Sequence, residues 1–124
     1  MRLPAEWEKQ GFIQLTWPHK DTEWYQLPLV LDCYVEVVRA ILRFEPLLVV
    51  CRDLEECKAD MAARGFSPEG QPIRFVDCPL NDTWARDHGA ISVWGDRGEK
   101  PLHSSMIARV SIRVIPMLPS IRWM

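Results

Sequence analysis

A chain of 124 residues, 48% of them hydrophobic, has room for one domain and enough apolar side chains for a core, which excludes a disordered polymer. A net charge of −2 argues against an electrostatic binder of nucleic acid or another polyanion, which would show a basic stripe. No stretch approaches the ~20 apolar residues of a membrane span, and the polar opening MRLPAEWEKQ lacks the apolar segment of a secretory signal, so the expected compartment is the cytoplasm.

Residues 12–17, FIQLTW, alternate apolar and polar and predict a short strand that ends at Pro18. Asp21 or Thr22 is a candidate helix cap, and Pro28 suits a first helical position. From Leu27 the pattern is helical: Leu31, Tyr34, Val35, Val38 and Ile41 form one apolar stripe, and Arg39 and Arg43 suit the C-terminal end of the dipole. PLLVVC, residues 46–51, is a continuous apolar run and predicts a strand buried on both faces. Residues 53–64 read as a second helix, capped by Asp53 and stopped by Gly65. A polar turn, SPEGQ, leads to a third strand over 72–79; AISVW, 90–94, alternates as a fourth, followed by the hairpin-type turn GDRG. Strands alternating with helices make an α/β unit. Nothing matches a phosphate-binding glycine loop.

The four cysteines, Cys33, Cys51, Cys57 and Cys78, form no CxxC pair, and each stands beside apolar residues. They read as buried, reduced thiols acting as small hydrophobes. No metal site is expected.

The chemistry-bearing segment is Asn81-Asp82-Thr83-Trp84-Ala85-Arg86-Asp87-His88-Gly89, a polar loop between two predicted strands. Strand ends are where α/β folds gather their sites. Carboxylates beside an indole suit a planar cation: a carboxylate accepts two parallel N–H bonds from a guanidinium, and an indole face attracts the charge. Arg86 would hold a neighbouring carboxylate ionised. Taken alone, the same residues also fit a loop fixed by its own ion pair and an Asx turn at Asn81 or Asp82.

The loop resembles the D-x-W-x-R-D-x-G signature of the agmatine deiminase and bacterial-type peptidylarginine deiminase family. The start Pro4-Ala5-Glu6-Trp7-Glu8 resembles that family's P-A-E-W-E block. Trp17-Pro18 and Asp21 to Trp24 are similar to its W-P and D-x-W segments, in the family's order. The resemblance implies an α/β fold, here the N-terminal portion (about one ββαβ-type unit or slightly more) of a pentein α/β propeller. It implies hydrolysis of a guanidine to a ureido group plus ammonia, as when agmatine becomes N-carbamoylputrescine. A cysteine thiolate attacks the guanidinium carbon, a histidine moves protons, and two carboxylates grip the nitrogens. No cofactor is implied, and the partner is a small guanidine such as agmatine or an arginine-like group. Carried over, Asp87 matches a guanidinium-gripping aspartate, Trp84 the aromatic wall beside the substrate, and Asp82 and Arg86 supports of the loop. His88 falls at a variable position and takes no acid–base role. Trp7 and Trp17 are expected to pack rather than to line the channel.

All 17 acidic residues precede Lys100, whereas residues 101–124 hold none and carry Arg109, Arg113 and Arg122. This break predicts residues 1–100 as the deiminase-type portion and 101–124 as an aberrant basic tail, frameshifted or truncated, with VSIRVI passing as a strand. The family's F-N-G-W-G block and its nucleophile segment have no counterpart here. The chain alone is therefore expected to be inactive, and the alternative reading is a non-catalytic fragment or a small-cation-binding α/β module. Self-association through uncovered apolar surface is an expectation of the same reading.

Overall fold

The computed structural model describes residues 2–5, 7–80, 83–84, 90–93 and 102–105. Two compact units emerge, one of residues 10–85 and one of residues 1–9 with 86–124.

The larger unit runs β1 (Ile13–Thr16), α1 (Leu27–Leu42), β2 (Leu47–Cys51), α2 (Leu54–Ala63) and β3 (Ile73–Asp77). The strands form one parallel sheet in the order β1-β2-β3, with Ile13 opposite Leu47 and Leu47 opposite Ile73. Each helix is the crossover that a parallel pair needs. Because side chains alternate along a strand, Leu47, Val49 and Cys51 share one face, each 1% exposed or less. Leu31, Val35 and Val38 of α1 and Cys57 and Met61 of α2 belong to the same core cluster. Both helices therefore pack on that face. The expectation that β2 is buried on both faces is corrected: Leu48 and Val50 on the opposite face are half-buried, and Val76 is 37% exposed. A continuous apolar run does not reveal which of its faces a helix covers.

The apolar stripe of α1 lies where its spacing predicts, with Leu31, Val35 and Val38 buried and Tyr34 and Ile41 packed against the core. Its start differs. The helix begins at Leu27 after Gln26, with Pro28 in the first turn and no side-chain cap. The Thr22 hydroxyl donates to the His19 carbonyl, so it serves the loop rather than the helix.

Helix α2 is fixed at both ends by local chemistry. Asp53 accepts from the Glu56 amide at 2.9 Å, and Glu55 and Glu56 face the positive end of the dipole. At the other end Gly65 takes φ 68°, Phe66 N–H donates to Met61 at 3.0 Å, and Gly65 N–H donates to Ala62 at 3.0 Å. That is the paired bonding of a Schellman stop, with Phe66 and Met61 both in the core. Asp53→Ala should cost about 1 kcal/mol. The melting midpoint by circular dichroism should fall by about 4–8 °C, and an unchanged midpoint would show that the cap contributes nothing. Arg64 joins the helices: it donates to Asp32 of α1 at 2.7 Å and to the Pro28 carbonyl at 3.3 Å.

The thiols divide. Cys51 and Cys57 are buried, as expected, but Cys33 is exposed and Cys78 half-buried, and all four are free. A shared hydrogen bond with Cys51 and burial both push the Cys57 thiol up. Trp17, 2% exposed, packs edge-on to Tyr34 at 5.8 Å and donates to Asp60 at 3.1 Å, the packing role expected of it.

In the smaller unit Arg2 forks onto Glu8, whose carboxylate also accepts the Ala5 amide at 3.0 Å. This makes a tight turn of the opening block. Trp7 is 88% exposed, which corrects its expected packing role. β4 (Ala90–Val93) pairs antiparallel with β5 (Leu102–Ser105), Ala90 opposite Ser105. Strand β5 lies past the composition break at Lys100 and has no counterpart among the predicted elements. The VSIRVI segment lies outside the described residues. Among the described residues no helix is long and apolar enough to cross a membrane.

Candidate functional site

The three parallel strands end together at Thr16, Cys51 and Asp77. Ligands of open α/β sheets bind beyond this carboxyl edge. Each chain leaving the edge carries polar groups: His19 and Asp21 after β1, Arg52 after β2, and the candidate loop after β3.

The chain after β3 stays against the sheet edge. Cys78 N–H donates to the Cys51 carbonyl at 2.8 Å, next to the end of β2. Leu80 then meets His19 of the β1–α1 loop: the imidazole Nε2 lies 3.0 Å from the Leu80 carbonyl. Three residues on, Thr83 Oγ1 accepts the Trp24 indole N–H at 3.1 Å. The path from the end of β3 therefore crosses toward β1. Arg52, Asp77, Pro79 and Leu80 line an open cleft of about 270 Å3 along it.

Charge at this edge is paired. Arg52 donates to the Asp21 carboxylate, and that bond holds the Asp21 carboxyl below its ordinary range. The sign follows: this pair adds to stability above the ordinary carboxylate pKa and ceases to as pH falls through the lowered one. Both partners are largely exposed, so its contribution is small.

Trp84 follows directly on Thr83 and is 64% exposed. Its indole is not part of the core. Asp82, Arg86 and Asp87, the other candidate residues, lie outside the described residues, as do Asn81, His88 and Gly89. His19, Trp24 and Arg52 had no assigned role in the sequence reading. Their signal was present, since His19 and Trp24 fall within the W-P and D-x-W blocks. Nothing local ties those blocks to a loop some 60 residues away. No cluster of three or more metal-ligating side chains occurs among the described residues.

Comparison with known proteins decides the family. The family model for Porphyromonas-type peptidyl-arginine deiminase matches residues 2–110. The chain belongs to this family. Within the peptidyl-arginine deiminase family it is 35% identical over 98 residues to the agmatine deiminase of Pseudomonas syringae pv. syringae, covering 78% of this chain and 25% of that protein. Among solved structures, C. jejuni agmatine deiminase superposes with a TM-score of 0.60 at 28% identity, covering 73% of this chain and 26% of the other. A Porphyromonas gingivalis protein assigned as an arginine deiminase superposes with a TM-score of 0.64 at 40% identity, covering 83% and 29%. The peptidyl-arginine deiminase family chain thus spans about a quarter of the length of the curated relatives it matches, and its α/β fold, with a parallel sheet, is the N-terminal portion of theirs.

Proposed function

We propose that this chain carries the guanidinium-gripping loop of a hydrolase that converts agmatine to N-carbamoylputrescine and ammonia. The observation that carries the reading is the exposed Trp84 at the carboxyl edge of the parallel sheet, in a chain matched to the family over residues 2–110. In this reading the Asp87 carboxylate accepts two guanidinium N–H bonds while the Trp84 face covers the flat cation. Asp82 and Arg86 hold the loop in shape and keep its carboxylates ionised. Gripping the nitrogens fixes the central carbon for attack by a thiolate, which forms the new C–S bond as ammonia departs. Agmatine is favoured over an arginine side chain in a peptide because the P. syringae relative and the C. jejuni structures are agmatine deiminases, one of them solved as a Cys-to-Ser variant with substrate bound. Four free thiols fit a reducing cytoplasm.

This chain does not perform the hydrolysis alone. Cys51 and Cys57 are 1% exposed and share a hydrogen bond, and Cys33 lies on the exposed surface of α1. The Cys78 thiol is directed to the Pro79 carbonyl at 3.7 Å. None matches the family's nucleophile segment.

Calorimetry on the chain tests both parts. Agmatine should bind more tightly than putrescine, which has the same carbon chain and an amine in place of the guanidine. A blocked arginine amide should bind more weakly than agmatine, and no ammonia should appear. Equal affinity for agmatine and putrescine would remove the guanidinium reading. Ammonia release would overturn the assignment of inactivity.

A further inference from the structure

Two features stand apart from the site: the buried Cys51–Cys57 pair and the half-covered sheet face of Leu48, Val50 and Val76. The first is sealed from any reactant at 1% exposure, and nothing shows what covers the second. The β1–α1 loop carries more. It is the only segment among the described residues whose side chains tie down the chain on its way to Trp84.

His19 is 6% exposed and held on every side. Its backbone N–H donates to Thr22 Oγ1 at 3.3 Å, and its carbonyl accepts the same hydroxyl. On the ring, Nδ1 accepts the Asp21 amide N–H at 3.3 Å and faces an Arg52 N–H at 3.4 Å. A nitrogen that accepts carries no proton, so the neutral ring carries its proton on Nε2. That proton is donated to the Leu80 carbonyl at 3.0 Å. The Asp21 amide and the Arg52 guanidinium thus fix both the ring's tautomer and its direction. Trp24, in the same loop, donates to Thr83 at 3.1 Å. The two bonds bracket residues 81–82, and the second ends one residue before Trp84.

We infer that His19 and Trp24 are positioning residues, which through Leu80 and Thr83 set where the Trp84 indole stands before a ligand arrives. The inference rests on the reading of Trp84 as the wall of a guanidinium site. A wall already in place need not be ordered at the moment of binding, so the affinity gained is that otherwise lost to ordering. The bond geometry also specifies which substitutions substitute for His19. Glutamine can place an amide N–H where Nε2 stands, whereas asparagine reaches only the position of Nδ1 and leaves the Leu80 carbonyl without its donor. Valine at position 83 keeps the shape of threonine and removes the acceptor for Trp24.

The test is 15N NMR of the indole N–H groups in the full chain, with the Trp84 resonance assigned through Trp84→Phe, and with agmatine as the added ligand. Without ligand, His19→Asn and Thr83→Val should each move the Trp84 resonance and speed its solvent exchange. His19→Gln should return both to the wild-type values, and the melting temperature of Thr83→Val should stay close to wild type. With agmatine, His19→Asn and Thr83→Val should bind about two- to tenfold more weakly, and His19→Gln as wild type. A Trp84 resonance unmoved in both His19→Asn and Thr83→Val would overturn the inference whatever agmatine does. If wild-type chain ignores agmatine, the proposed function falls, and the ligand-free spectra still decide the positioning. A His19→Gln variant that behaves like His19→Asn would also overturn it, because the donor to Leu80 would then not be what matters.

Discussion

Asp87→Asn should lower the affinity of the chain for agmatine by roughly ten- to a hundredfold, the loss expected when a hydrogen bond between charged groups, about 1.5–3 kcal/mol, becomes one to a neutral amide. The amide retains one acceptor oxygen but replaces the second with an N–H that opposes the guanidinium. Trp84→Ala should have a smaller effect, because a cation over an indole contributes about 0.5 kcal/mol at an exposed site and about 2 kcal/mol when desolvated. At 64% exposure Trp84 starts near the lower bound and moves up only as the ligand excludes water from its face. Glu55→Gln serves as a control, since that carboxylate lies on α2 with 87% of its side chain exposed. Calorimetry should rank the losses Asp87→Asn, then Trp84→Ala, then Glu55→Gln near zero. A charge-independent order, with Glu55→Gln equal to Asp87→Asn, would mean that agmatine meets only the diffuse charge of the surface.

Leu47→Ala should be the most damaging of the conservative core truncations, at about 2–5 kcal/mol. Leu47 is fully buried at the start of the central strand, paired on both sides with Ile13 and Ile73. Truncation there leaves a void that two neighbouring strands and a helix face cannot all collapse to fill. Domains hold only about 0.05–0.15 kcal/mol of stability per residue. A unit spanning residues 10–85 therefore stands to lose a large fraction of its stability. Urea unfolding should show the midpoint fall sharply with the slope unchanged. Phe44→Ala, at a ring 79% exposed, should change stability by about 0.5 kcal/mol or less. If the two substitutions cost the same, the sheet's helix-covered face is not where the core lies.

What the sequence made legible was local. The stripe Leu31, Val35, Val38 fixed the buried face of α1, because a helix repeats its neighbours every three or four residues and the pattern carries that period. Asp53 and Gly65 announced both ends of α2, because a side-chain acceptor and a residue free to take positive φ are chemical requirements of those positions. The cap of α1 was misread for the converse reason. Thr22 has the chemistry of a cap, but its hydroxyl is taken up by His19, three residues back. The face of β2 was misread because an apolar run records hydrophobicity and not what lies against it. At the site, residue types in the Asp82–Asp87 segment carry the proposed chemistry, yet the bonds that hold its approach, His19 to Leu80 and Trp24 to Thr83, span about 60 positions. No pattern of period two or 3.6 reaches that far.

The central claim is that a planar cation binds against Trp84 with Asp87 as its acceptor, and a crystal structure of the chain grown with agmatine tests it most directly. The guanidinium carbon should lie within about 6 Å of the Trp84 ring centroid, with its nitrogens about 2.7–2.9 Å from the Asp87 carboxylate oxygens. A guanidinium seated instead in the cleft of Arg52, Asp77, Pro79 and Leu80, with the indole face bare, would contradict it.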